Sequence, residues 1–178
     1  MPKILLGILV VAATATLGDW VWATFEACRG IAAGVIHGAA LLTAVGGALG
    51  AASGRLLRGL PIGTLAGTAG ALAYYALVLA LGPRVDPVAI PAAWVVTWLV
   101  MALLEGRWLA PTPRSWPAIA ARGTAAAVGS GIAFYLVLDL LWGPTPAEGR
   151  NYALQLAAWA AAWAPGMLVL ALGTRRAS

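Results

Sequence analysis

The sequence predicts an all-α fold, a compact bundle of six transmembrane helices that forms a single domain over residues 1–178. Composition is the first indication, because 62% of the 178 residues are hydrophobic and only 10% are charged. Soluble domains contain about 45–50% apolar and about 25% charged residues, so lipid is the expected solvent. A membrane span needs about 20 apolar residues, and the chain length therefore accommodates about six spans with short loops.

Breaks in the apolar pattern, made by Gly, Pro and Arg, delimit the spans. The predicted spans are residues 3–25, 31–53, 61–82, 88–107, 118–142 and 152–172. The connectors between them are too short for folded domains, which predicts one bundle. For the first span an alternative is a secretory signal peptide, because Lys3 precedes an apolar run that ends in "ATA". We favour the six-span interpretation.

The distribution of positive charge predicts the orientation. Eight of the eleven Lys and Arg residues fall on the side of the N-terminus: Lys3, Arg55, Arg58, Arg107, Arg114, Arg122, Arg175 and Arg176. The positive-inside rule then places both termini in the cytoplasm. One Lys against ten Arg, with Ala and Gly abundant, suggests a GC-rich prokaryotic genome. We predict a multi-pass protein of a prokaryotic plasma membrane, with no nucleic-acid partner.

Glycines recur at helical spacing in the second and third spans. In the second span they are Gly30, Gly34, Gly38, Gly46, Gly50 and Gly54. In the third span they are Gly59, Gly63 and Gly67. Small residues four positions apart let helix backbones approach closely in lipid. The pattern predicts tight packing of these spans against each other or against a second copy of the chain, so we expect a homo-oligomer built through glycine-rich helix faces.

His37, the only histidine, lies about two turns inside the second span. An ionisable group at that depth must find a partner or stay neutral, which makes it a candidate functional residue. Polar residues predicted at the same membrane side are Asp19, Glu26, Arg29, Asp139 and Gln155. Together they would form a polar cap over the external half of the bundle. The alternative is that they are helix-end residues reaching water, with His37 neutral.

Aromatic residues with polar tips reach mid-membrane from the four spans that follow the glycine-rich one: Tyr75, Trp98, Tyr135 and Trp163. Pro165 should kink the sixth span beside Trp163 and open space between helices. Rings with polar tips suit an amphipathic ligand, such as a sterol or a glycerolipid. We predict that these four rings bind lipid, with His37, Asp139 and Gln155 toward the external end of the cavity. Ordinary helix packing also accounts for the rings.

Catalytic and cofactor motifs are scarce. "VGSG" around Ser130 resembles the serine loop of rhomboid proteases, but Val128 stands where that motif has a glycine. HExxH, phosphate-binding loops and paired histidine ligands are missing from the sequence. The single Cys28 cannot form an internal disulfide or a thiolate cluster. We expect neither an enzyme nor a cofactor or metal.

Three stretches resemble the Insig family of small membrane sensors. They are "LLEGRW" with Glu105 and Arg107, "AFYLVLDLLWGPTP" in the fifth span, and "AAWAAAWAPGMLVLALGTRR" in the sixth. The resemblance covers roughly the C-terminal half, and it implies six spans, cytoplasmic termini and a sterol-type or other lipid ligand.

Two functions remain open on the sequence. The first is a membrane-embedded lipid-binding sensor or scaffold, as the Insig resemblance implies. The second is the substrate-binding membrane subunit of an energy-coupling-factor-type vitamin transporter, which has a similar size and span number. A transporter subunit should use the external polar residues, whereas a lipid sensor should depend on the mid-span aromatic rings. We favour the lipid-binding function, because apolar and aromatic positions dominate.

Overall fold

A computed structural model describes residues 2–25, 30–137 and 152–172 of the chain. These residues contain no β-strand, and their six long helices are each apolar and long enough to cross a membrane. The helices are α1 (Pro2–Thr24), α2 (Ile31–Ala52), α3 (Leu56–Leu81), α4 (Asp86–Leu104), α5 (Trp116–Val137) and α6 (Tyr152–Ala171). The predicted all-α bundle of six membrane-spanning helices is confirmed.

Two helices differ from the predicted spans at the same end of the bundle. The helix α3 begins at Leu56, five residues before the predicted start at Pro61. Gly54 turns the chain with a φ of 73°. Pro61 lies in the second helical turn, where its missing amide costs a single helical hydrogen bond. The helix α4 continues as a π-helical turn over Glu105–Leu109, in which the Ala110 amide donates to the Glu105 carbonyl at 2.9 Å.

The six helices form a closed ring. Each helix packs on its neighbours in sequence, and α6 closes the ring by packing on α1. Consecutive helices run in opposite directions. Gly7 and Gly18 of α1 lie beside Ala48 and His37 of α2, Gly50 and Gly38 of α2 lie beside Gly59 and Gly67 of α3, and the later helices follow the same pattern, with Gly123 beside Leu99 and Phe134 beside Trp94. One end of the ring therefore holds the start of α1 and the end of α6, and we call it the terminal end. The other end, which holds Thr24, Ile31 and Tyr152, is the distal end.

Glycines bring the backbones of α2 and α3 into direct contact. A Cβ atom at Gly59 would overlap the carbonyl oxygen of Gly46 and stand 2.8 Å from the Cα of Gly50. Thr43 and Thr64 share a hydrogen bond of 2.7 Å across the same contact. The tight packing predicted for these spans occurs within one chain. Homo-oligomerisation stays a prediction, and it would have to use other faces.

The interior of the ring is packed unevenly along its length. Large, fully buried side chains fill the middle and the half toward the terminal end, among them Leu49, Ile62, Trp98, Met101 and Met167. On α1 the buried residues run from Ile4 to Ala15, in the part nearer the terminal end. The distal half of the interior contains a cavity instead.

Candidate ligand-binding site

A cavity of about 370 Å³, which we call the polar chamber, lies between α1, α2, α3, α4 and α6. Its polar lining comes from Asp19, His37, Tyr74, Tyr75 and Thr97. Its aromatic lining adds Trp94, Trp159 and Trp163. Small-molecule sites are clefts of about 300–1,000 Å³ with a mainly apolar lining and a few polar groups. The chamber falls within that range, and it extends from the distal third of the bundle to its middle.

Glycines create the space for the polar side chains of the chamber. A Cβ atom at Gly18 of α1 would overlap the imidazole ring of His37 on α2. On α2, a Cβ atom at Gly34 would overlap the hydroxyl of Tyr75 on α3. The hydroxyl of Thr97 occupies the corresponding space at Gly70. The chamber exists because these helices carry no side chain at the positions where a neighbouring polar residue projects inward.

Asp19 is held at the wall of the chamber by two hydrogen bonds from α6. The Nε2 atom of Gln155 donates to its Oδ2 atom at 2.5 Å, and the Nε1 atom of Trp159 donates to the same oxygen at 2.6 Å. Asp19 and His37 both line the chamber. A carboxylate inside a membrane span is costly unless it is hydrogen-bonded. Asp19 therefore belongs to a polar network that links α1 to α6.

Four aromatic rings form a continuous layer between α4, α5 and α6, which we call the aromatic wall. Trp94 stacks on Trp163, with ring centroids 4.7 Å apart, and lies 5.4 Å from Phe134. Phe134 stacks on Trp159 at 5.5 Å, and Trp159 lies 6.4 Å from Trp163. Each such pair contributes about 0.5–1.5 kcal/mol beyond the area it buries. The wall thus fixes the distance between these helices.

A second cavity, of about 710 Å³, lies between α4 and α5, and its lining shares Trp94 and Phe134 with the aromatic wall. We call it the α4–α5 groove. Its lining is Pro91, Trp94, Val95, Ala127, Val128, Gly131, Ile132, Phe134, Tyr135 and Leu136. Val128, Ile132 and Leu136 are each more than half exposed, so the groove opens on the surface that faces lipid. Trp94 lines both the groove and the polar chamber.

The predicted lipid-binding residues are divided among three places. His37, Tyr75 and Trp163 line the polar chamber together, and Gln155 lies beside it through its bond to Asp19. Tyr135 lines the groove instead. Trp98 lines neither cavity, because its ring is fully buried against Gly166 in the core. The expectation that the four rings share one cavity is therefore wrong. Asp139 lies outside the described residues.

Four polar or aromatic residues of the chamber lining are absent from the predicted site residues: Tyr74, Trp94, Thr97 and Trp159. Trp94 and Trp159 each stand four residues before a predicted site residue, so a shared helix face was visible in the sequence. Thr97 carries no comparable signal, because a threonine inside a membrane span usually bonds the backbone of its own helix. Its role depends on Gly70 of the neighbouring helix.

A buried ionic cluster stands at the terminal end. Glu105 is fully buried, with Arg114 Nε at 3.5 Å and Arg122 Nη2 at 3.8 Å from its Oε2 atom. Arg122 also donates to the carbonyl of Leu170 at the end of α6. The Nη1 atom of Arg55 donates to the carbonyl of Leu109 at 3.1 Å. These bonds tie the π-helical turn to α3, α5 and α6, which is a structural role for the acidic residue of "LLEGRW".

The buried Ser130 also has a structural role. Its Oγ atom accepts a hydrogen bond from the amide of Gly166 at 3.0 Å, next to Pro165 in α6. The hydroxyl thereby links α5 to the part of α6 where proline interrupts the helical bonding.

Comparison of the chain with protein-family models, with curated proteins and with solved structures found no match. Within residues 2–25, 30–137 and 152–172, no group of three His, Cys, Asp or Glu side chains is placed to hold a metal ion.

Proposed function

We propose that this protein is a membrane-embedded lipid-binding sensor or scaffold that holds a sterol or a glycerolipid between its helices. The observation that carries the proposal is the position of Trp94, which borders both the polar chamber and the apolar groove. An amphipathic molecule needs these two environments side by side.

Each compartment suits one part of such a ligand. The hydroxyl of Tyr75, the imidazole of His37 and the hydroxyl of Thr97 offer hydrogen bonds to a polar end. The groove offers an apolar surface to a hydrocarbon chain. A chain that moves from the bilayer into the groove gains little hydrophobic free energy, because lipid is already apolar. Specificity therefore comes from shape and from the few hydrogen bonds in the chamber.

Mass spectrometry of lipid that copurifies in mild detergent tests the proposal. Gly131 lines the groove, and a Cβ atom there meets no atom within 4 Å, so we expect Gly131→Leu to add bulk at the groove and to leave the helix packing intact. We expect this variant, and the double variant Tyr135→Ala/Trp163→Ala, to lose copurified lipid. Gly30→Leu is the matched control, because Gly30 is equally open and lies outside the groove. Unchanged lipid in Gly131→Leu, with the same thermal stability as the control, would contradict lipid binding.

The role as a sensor is proposed from the resemblance of the C-terminal half to the Insig family. The proposal also includes a homo-oligomer. Charge placement supports a plasma-membrane protein with both termini in the cytoplasm. In that orientation the polar chamber belongs to the external leaflet.

That external position favours a second candidate function, the substrate-binding subunit of an energy-coupling-factor-type vitamin transporter. A water-soluble ligand would use His37 and the hydrogen-bonded Asp19. Uptake of a labelled vitamin separates the two candidates. Loss of uptake in His37→Ala and Asp139→Asn, with unchanged copurified lipid in the groove variants, would replace the lipid-binding function.

A further inference from the structure

Trp94 is the residue that the linings of the two compartments share. It lines the polar chamber together with Trp163, and it lines the α4–α5 groove together with Phe134. Trp163 from α6 and Phe134 from α5 pack on it, with centroids 4.7 Å and 5.4 Å away. The ring is thus held by two helices besides its own, and moving it would break both ring contacts.

The groove has the length of one hydrocarbon chain in one leaflet. Along α5 it runs from Ala127 to Leu136, which is about 14 Å at 1.5 Å per residue. One leaflet contributes about half of the hydrocarbon thickness of about 30 Å. The residues that α4 contributes, Pro91, Trp94 and Val95, belong to the same distal half. The groove therefore follows the direction and depth of an acyl chain in the distal leaflet.

We propose that Trp94 determines the class of lipid that the site accepts, an inference that rests on the proposed lipid-binding function. With the ring in place, the site takes a lipid of the distal leaflet that has a flexible acyl chain, and it excludes fused-ring lipids such as sterols. A flexible molecule lies in the groove and bends its polar end around the edge of Trp94 toward Tyr75, which lies opposite Gly34 near the distal end. A rigid four-ring body cannot bend at that point. It would have to displace Trp94 from its two neighbouring rings.

Photolabelling in phosphatidylcholine nanodiscs tests this assignment. The probes are a phosphatidylcholine with a diazirine in its acyl chain and a diazirine sterol, and the adducts are mapped by mass spectrometry. We expect the acyl probe to label residues 127–136 several-fold more than the sterol probe does. Trp94→Ala joins the chamber and the groove, so labelling of chamber residues by the sterol probe should rise several-fold. Trp94→Phe, which keeps a ring, should stay close to the wild type.

Trp116→Ala is the matched control, because this tryptophan is 65% exposed and lies at the terminal end of α5. Gly131→Leu leaves Trp94 in place and should reduce labelling by the acyl probe. This variant and the comparison of the two probes on the wild type still test the assignment if Trp94→Ala does not fold. Equal labelling of the wild-type site by both probes would overturn the role of Trp94 and leave lipid binding standing. Absence of labelling by either probe in both compartments would overturn lipid binding as well.

Discussion

Gly63→Ala should destabilise the bundle, although alanine is the better helix former. Gly63 lies on α3 where the backbone of α2 crosses it. An added Cβ atom would overlap the carbonyl oxygen of Leu42, and would stand 2.6 Å from the carbonyl carbon of Leu42 and 2.8 Å from the Cα of Thr43. Ordinary van der Waals contact begins at 3.4 Å. All three atoms belong to the backbone, so no side chain can turn away, and the two helices must separate.

The size of the effect follows from two opposing terms. Forcing extra volume into a packed contact costs about 1–3 kcal/mol, and a backbone contact belongs at the upper end. Replacing glycine by alanine inside a helix returns about 1 kcal/mol of helix propensity. We therefore expect Gly63→Ala to lower the free energy of unfolding by about 2 kcal/mol. Gly131→Ala forces no atom into a packed contact, because that position is open. The free energy of unfolding of this variant should therefore rise by up to about 1 kcal/mol.

The free energy of unfolding can be measured for both variants in mixed micelles of mild detergent and dodecyl sulfate. The difference between Gly63→Ala and Gly131→Ala should be about 3 kcal/mol. Equal stability of the two variants would refute the reasoning, because it would mean that α2 and α3 do not meet at backbone distance.

Three further predictions concern the rest of the molecule. Ser130→Ala removes the acceptor of the Gly166 amide and should lower the free energy of unfolding by about 1–3 kcal/mol, whereas unchanged thermal unfolding would show that this bond is dispensable. Glu105→Gln removes the carboxylate charge that lies 3.5 Å from Arg114 and 3.8 Å from Arg122. Breaking a fully buried pair costs about 3–5 kcal/mol, and we expect a smaller loss here because the arginine side chains are 20% and 19% exposed. Cysteines placed at Ser178 and in residues 144–150, with the native cysteine replaced, should react with impermeant reagents from opposite sides, and labelling from one side alone would contradict the topology.

The fold was predictable because lipid leaves the chain few alternatives. Backbone groups inside a bilayer must bond within their own segment, so each long apolar stretch is a helix. The helix ends were less predictable. Pro61 was interpreted as the start of the third span, but a proline in the second turn is tolerated, and α3 begins at Leu56. The end of the π-helical turn over Glu105–Leu109 accepts a hydrogen bond from Arg55, the residue just before α3, and sequence spacing does not reveal this contact.

The candidate site was predictable in part. His37, Tyr75 and Trp163 could be identified because a polar group at membrane depth needs a partner, and all three line the polar chamber. Trp94 and Trp98 form a single stripe in the sequence, yet one lines both cavities and the other is fully buried. Spacing along a helix gives the face on which a residue lies. It does not give the neighbour that the face meets.

Glycine spacing illustrates the same limit and also explains how the chamber forms. Gly46 and Gly63 have the backbone of the neighbouring helix opposite them, so α2 and α3 touch there. Gly34 belongs to the same stripe, but the flexible end of Tyr75 lies opposite it. A methyl group at Gly34 can be accommodated by a turn of the phenol, at the expense of chamber volume, whereas a methyl group at Gly63 cannot be accommodated without separating two helices. The same repeated residue thus brings the backbones of α2 and α3 together from Gly38 to Gly50, and it leaves room for a side chain at Gly34. The residue that lies opposite on the neighbouring helix decides whether a glycine brings two backbones together or leaves room for a side chain.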